Sequence, residues 1–190
     1  DRPEYTKIDN TALNLPVTSG RLHVYRQSIP TASSKNVYNI ADYGAKSGED
    51  STEALKQALA AAEQTGGVVY IPAGEYIVSE PLTVPTGVEL RGIYNVPTHS
   101  ITAGSVLMTN IGKGSESGDA LISLSEGSGI NGVSFYYTEQ SYTDFIPYPY
   151  TVRSLGKNCW AINCVFINSY QAMDFGTNPS DGHYISYCSG

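Results

Sequence analysis

The stretch YQAMDFGTNPSDGHY (170–184) places two carboxylates, Asp174 and Asp181, seven residues apart, with His183 two positions further on. Two carboxyl groups with an imidazole beside them are the parts of a general acid/base site, where one group gives a proton and another takes one. The same residues have a plainer use. Asp181-Gly182 is a turn dipeptide, and Asp174 can cap or bend the strand-like run it follows. A second stretch, FYYTEQSYTDFIPYPYT (135–151), holds seven of the chain's twenty aromatic residues together with Glu139, Asp144 and two prolines. A core strand does not tolerate those prolines, and a solvated loop does not need those rings. Tyr136, Tyr137, Tyr142, Tyr148 and Tyr150 supply flat apolar faces with hydroxyl handles, suited to a ligand that is part apolar and part hydroxylated. They serve equally to pack the segment onto the body of the protein. Arg153 follows this stretch and can pair with Glu139 or Asp144, or contact a ligand directly.

Other chemistries are poorly represented. Cys159, Cys164 and Cys188 make an odd count with no CxxC spacing and no histidine at metal-ligand spacing, so neither a metal site nor a cofactor is expected. They read as small buried hydrophobes, with a disulfide left open. The net charge of −7 is uneven: residues 1–40 carry +2 and residues 41–190 carry −9. A body that acidic repels nucleic acid and polyanionic sugars at long range, which favours a neutral ligand unless a local basic pocket intervenes. No apolar run approaches the ~18 residues of a membrane span.

The elements that must hold these residues are mostly strands. DSTEALKQALAAAEQTGG predicts a helix over 51–65, with Asp50 as N-cap, Glu53 completing a capping box, and Gly66-Gly67 as the stop. Strands are expected at 67–79, 82–92, 105–112, 120–127, 130–137, 159–168 and 183–190. Asp181-Gly182 is the lone tight-hairpin dipeptide among them, which speaks against an antiparallel meander. INGVSF (130–135) returns as INCVFI (162–167), and Cys164 and Cys188 stand 24 residues apart, about one solenoid coil, so they can stack on adjacent rungs.

Residues 37–92 resemble the opening of the pectate-lyase-superfamily right-handed parallel β-helix proteins. The motifs are Asp42-Tyr-Gly-Ala45, an acidic Thr-containing turn into a helix, GGVVYIPAGEY (66–76) and GVELRG (87–92). The usual second aspartate of the acidic turn is Ser51 here. Beyond residue 105 only the strand rhythm continues. The resemblance implies an all-β parallel β-helix over 36–190, capped at its N-terminal end by helix 51–65, with residues 1–35 as an arm. An open bore needs a cap at each end and nothing like helix 51–65 follows the last strand-like segment, so the β-helix is expected to continue beyond Gly190 or to be completed by a second chain.

The family includes glycoside hydrolases, polysaccharide lyases and phage tailspike depolymerases, which take a long polysaccharide along one parallel face. That implies a secreted protein with a polysaccharide as its partner. Asp174, Asp181 and Glu139 are then the catalytic candidates, since glycoside hydrolysis uses two carboxyl groups. The five tyrosines named above, Arg153 and His183 are the candidate substrate contacts. The acidic body and the lack of an acidic cluster for Ca²⁺ favour a hydrolase on a neutral glycan over a lyase. A non-catalytic carbohydrate-binding or structural β-helix, such as a tailspike or adhesin part, remains the alternative.

Overall fold

The structure is a computed structural model that describes residues 29–94 and 103–190. Residues 1–28 of the expected arm at 1–35 therefore lie outside the described residues. Of the arm, Ser33 is seen to donate from its amide to the carbonyl of Gly87 at 2.9 Å.

The chain opens with strand β1 (Val37–Asn39), a 3₁₀ turn (Ile40–Tyr43) and helix α1 (Thr52–Glu63). It then winds through coils of three strands. The first is β2 (Gly67–Tyr70), β3 (Gly74–Ile77) and β4 (Leu82–Val84). The second is β5 (Val88–Arg91), β6 (Ser105–Thr109) and β7 (Ile122–Leu124). The third is β8 (Gly129–Asn131), β9 (Val133–Tyr137) and β10 (Tyr150–Ser154). The fourth is β11 (Trp160–Ile162), β12 (Val165–Ile167) and β13 (Gln171–Asp174), and β14 (Tyr184–Ser186) starts a fifth. First strands stack as sheet A, in the order β1-β2-β5-β8-β11-β14. Second strands form sheet B (β3-β6-β9-β12) and third strands sheet C (β4-β7-β10-β13), and every pairing is parallel. This is the expected parallel β-helix.

Alternation along each strand decides what fills the bore. In β4, Leu82 and Val84 are buried while Thr83 between them is exposed, and β7 repeats this with Ile122 and Leu124 around Ser123. Parallel in-register pairing stacks like positions into apolar columns. Leu90, Ile130 and Ala161 line up from sheet A. Leu107, Phe135 and Phe166 line up from sheet B, and Leu82, Ile122 and Val152 from sheet C. All nine are buried, each burial contributing up to about 1.5–3 kcal/mol for a large side chain.

The repeat seen in the sequence is one residue out of the structural register. INGVSF and INCVFI match at a spacing of 32, whereas Phe135 pairs with Phe166 at a spacing of 31. Their rings stack at 5.4 Å between centroids. A one-residue slip would turn Phe166 out of the bore, so burial of the two rings outweighs letter-for-letter similarity. The turn residues agree with the structural register: Gly132 and Asn163, also 31 apart, both have positive φ (75° and 53°). A side chain at Gly132 would put its Cβ 2.6 Å from the Gly92 carbonyl oxygen, so glycine is required there.

Helix α1 covers the N-terminal end of the bore as anticipated. Its Ala54, Leu55, Ala58, Leu59 and Ala62 face are buried, and it packs on β1, β2, β4 and β5. The cap differs from the predicted capping box. The helix starts at Thr52 with Ser51 as N-cap, and Glu53 bonds forward to Gln57 (3.1 Å) instead of back. Asp50, one position earlier, accepts from the Thr52 amide (2.9 Å) and the Thr52 hydroxyl (2.6 Å). Hydrogen bonds from Ser79 and Thr52 hold the Asp50 carboxyl below its ordinary value of 3.8. Asp50→Ala is expected to destabilise the protein by about 1 kcal/mol at neutral pH. Because the folded value is depressed, this contribution is full above pH 3.8 and is lost as pH falls through the lower folded value. Denaturant midpoints of both proteins across pH 2–7 check the direction.

Candidate functional site

The outer face of sheet C carries a polar row. Since Leu82, Ile122 and Val152 point into the bore, their neighbours Thr83, Ser123 and Arg153 point out, and the register puts Asp174 next to Arg153. Three strand spacings make this row about 14 Å long. Each member comes from a different coil, so only the winding brings them together.

Asp174 and Arg153 form the centre of the row. The Arg153 Nε donates to Asp174 Oδ2 at 3.1 Å, and the guanidinium carbon lies 5.2 Å from the centre of the Tyr150 ring. Asp174 Oδ1 accepts from the amides of Gly176 (3.2 Å) and Thr177 (3.0 Å). Burial pushes this carboxyl up. The hydrogen bonds from Thr177, Gly176 and Arg153 outweigh that and leave it below the ordinary carboxylate value. Asp174 is thus an ionised carboxylate with most of its acceptor positions in use. It is suited to the part of base or charge stabiliser, not to that of acid. Arg153, for which Glu139, Asp144 or a ligand were the expected contacts, pairs with Asp174.

The other two carboxylate candidates have partners of their own. Asp181 is 80% exposed and meets Lys157 Nζ at 2.6 Å, while Glu139 pairs with Lys113 at the start of the aromatic segment. No contact links Asp174, Asp181 and Glu139 to one another among the described residues. His183 stays close to the row. Its Nδ1 accepts the Cys159 amide at 3.1 Å, and its Nε2 lies 3.4 Å from Ser154 Oγ. That pattern places the proton of the neutral ring on Nε2, aimed at Ser154. Phe175 meets the ring edge-on at 5.1 Å.

The aromatic segment divides by burial. Tyr137 and Tyr148 are buried, with ring centroids 4.7 Å apart, and the Tyr137 hydroxyl accepts from Thr151 at 3.1 Å. These two rings anchor the segment and have no face left for a ligand, contrary to the expectation for them. Tyr136 and Tyr150 are half-buried, and Tyr150–Ser154 is strand β10 of sheet C. Tyr142 (78% exposed) and Phe145 (69%) project outward, with the Tyr142 hydroxyl donating to Asn168 Oδ1 at 2.6 Å. Where the segment leaves sheet B, a surface groove of about 410 Å³ is lined by Ile77, Met108, Asn110, Ile111 and Thr138.

Several partners were not legible in the sequence. Gln171 donates to the carbonyls of Glu116 and Tyr148 (both 3.1 Å), and the Tyr170 hydroxyl donates to the Glu116 carboxylate at 2.6 Å. Residues 54 or 55 positions apart give no local signal. Their pairing follows from coil register alone.

Residues 37–138 match the family described as rhamnogalacturonase A/epimerase, pectate lyase-like. The chain belongs to this family. The match spans the helix cap and the coils through β9, and it ends before Glu139, Arg153, Asp174 and Asp181. The family is carbohydrate-active.

No curated protein matches the chain. Among solved structures, ORF18 of Geobacillus virus E2 is similar over 68% of this chain, at 17% identity and a TM-score of 0.45. The chain spans 25% of that viral protein's length. A candidate glycosyl hydrolase from Parabacteroides merdae is similar over 80% of this chain and 95% of its own length, at 14% identity and a TM-score of 0.47. At these values neither likeness bears on the chemistry. Among the described residues no group of carboxylates, cysteines and histidines is arranged to hold a metal ion, and no helix is long and apolar enough to cross a membrane.

Proposed function

We propose that the protein acts on a polysaccharide lying along the outer face of sheet C, as a glycoside hydrolase of a neutral glycan. The observation that carries this reading is the in-register row Thr83–Ser123–Arg153–Asp174 in a member of a carbohydrate-active family. Hydroxyls, a guanidinium and a carboxylate spaced at the strand repeat suit a polymer whose hydroxyls also recur.

Asp174, kept ionised, takes the part of base or charge stabiliser, and Asp181 in the following loop supplies the second carboxyl on exchanging Lys157 for substrate. Tyr142 and Phe145 offer stacking faces to one end of the glycan, and Glu139 fixes the start of their loop through Lys113. The row's cation, Arg153, is already neutralised by Asp174, and residues 41–190 carry −9. A neutral polymer is therefore a better fit than a uronate. Such a substrate lies outside the cell, and the reading makes this a secreted protein.

A second reading, binding without cleavage, is favoured by one observation: each candidate carboxylate is already engaged by its own partner. Reducing-sugar release from a panel of neutral glucans and from polygalacturonate decides between them. Cleavage of a neutral glucan is expected, with Asp174→Asn lowering kcat by about 10²-fold or more in protein that is still folded at the assay temperature, its melting temperature lowered by the loss of the Arg153 pair. Retained glucan affinity with no products supports the binding reading. Unsaturated products from polygalacturonate would make the protein a lyase. Full activity in both Asp174→Asn and Asp181→Asn would move the site elsewhere.

A further inference from the structure

We propose that Cys164 and Cys188 are a covalent modification site, at which a disulfide can join the turn after β11 to the turn after β14 and so staple two adjacent coils. The argument rests on register. β11 and β14 pair at a spacing of 24, Ile162 opposite Ser186, and the bridge between Val165 and Ser189 keeps that spacing on the far side of the turn. The two residues between are alike in conformation, Asn163 and Tyr187 both having φ 53°. Backbone bonds flank the pair: the Asn163 amide donates to the Ser186 carbonyl and the Ser189 amide to the Cys164 carbonyl, both at 3.0 Å. Cys164 and Cys188 are thus direct neighbours on successive rungs. Their Cα atoms stand one strand spacing apart, about 4.8 Å, inside the range of about 4.4–6.8 Å that disulfides span.

The two thiols differ in ways that suit stepwise oxidation. Cys164 is fully buried, and burial raises its thiol well above the ordinary value. Cys188 is half-buried, and a hydrogen bond from the Cys164 thiol lowers it to about 7. Both are free in the structure, as is Cys159, whose thiol is turned instead to the Gly156 and Ser125 carbonyls (both 3.3 Å). The oxidant is a low-molecular-weight disulfide. The Cys188 thiolate attacks one of its sulfurs, forms a mixed disulfide and expels one thiolate. The Cys164 sulfur, giving its proton to solvent, then displaces the second thiolate. Two protein thiols become one disulfide while the reagent's disulfide becomes two thiols.

Incubation of the whole protein with excess oxidised glutathione at pH 7.5 tests this, followed by thiol titration in denaturant and non-reducing peptide mapping. The count is expected to fall from three to one, with residues 164 and 188 cross-linked and Cys159 free. The melting temperature is expected to rise by about 5 °C or more and to return on reduction. Cys159→Ser should cross-link as the native protein does, and Cys188→Ser should not. Three thiols remaining, a mixed disulfide on Cys188 that never resolves, or a cross-link through Cys159 would each overturn the proposal. Mapping the native protein gives this answer even if a variant folds poorly.

Discussion

Phe135→Ala is expected to lower the unfolding free energy by about 3–5 kcal/mol, the usual cost of emptying an aromatic site in a packed core. Phe135 is fully buried in β9, paired on one side with Leu107 and on the other with Phe166. The Phe135–Phe166 stack, at 5.4 Å and 17°, is lost together with the packing. The site cannot collapse easily, because backbone ladders fix the rungs above and below at a set spacing. Phe135→Leu keeps most of the volume and should cost less than half as much. Urea unfolding of both variants measures this. A loss under 1 kcal/mol for Phe135→Ala would mean that the two rings do not share the bore and that the 32-residue register is the true one.

The second large effect is expected on the outer face of sheet A. Glu89 is fully buried there, accepting from Arg91 Nε and, at 2.9 Å, from the indole N–H of Trp160. Trp160 reaches Glu89 by lying across Gly129, where a Cβ would stand 2.2 Å from its ring. One carboxylate thereby ties β5 to β11 over the intervening β8. Arg91→Ala leaves that carboxylate buried with the indole as its one remaining side-chain donor among the described residues. A buried pair broken on one side costs about 3–5 kcal/mol, and the 40% exposure of Arg91 reduces the expectation to about 2–3 kcal/mol. Adding Glu89→Gln removes the charge and keeps an acceptor for the indole, so Arg91→Ala/Glu89→Gln should be more stable than Arg91→Ala. Equal stability of the two would mean that water reaches Glu89. Tryptophan fluorescence during the same unfolding reports whether Trp160 stays in place.

Much of this fold is local and could be read from the residues. The apolar stripe from Ala54 to Ala62, bounded by Asp50 and Gly66, marks a helix with one face to bury. The buried-exposed-buried pattern of Leu82-Thr83-Val84 makes a strand with an inside and an outside. The acidic composition and the absence of metal-ligand spacing are likewise properties of the chain, and the motifs across 37–92 were enough to identify the fold. The spacing of 24 between Cys164 and Cys188 was visible because that coil carries no insertion.

Tertiary structure decided what depends on register between coils of unequal length. Rungs follow one another at 21, 40, 31 and 24 residues, so a fixed repeat cannot be laid over the sequence. The similarity of INGVSF and INCVFI points to the wrong pairing by one residue, because which ring enters the bore counts for more than matching letters. Arg153 met Asp174 and not Glu139 for the same reason: neighbours on a sheet face are set by winding, across 21 residues here. Aromatic richness in 135–151 gave no means of separating Tyr137 and Tyr148, which anchor the loop, from Tyr142 and Phe145, which face solvent. The sequence by itself determined which segments are strand or helix, and which side chains are carboxylates, imidazoles or aromatic rings open to chemistry. Only the winding decided which of them share a face, because a solenoid brings residues together through insertions whose lengths carry no local energetic signal.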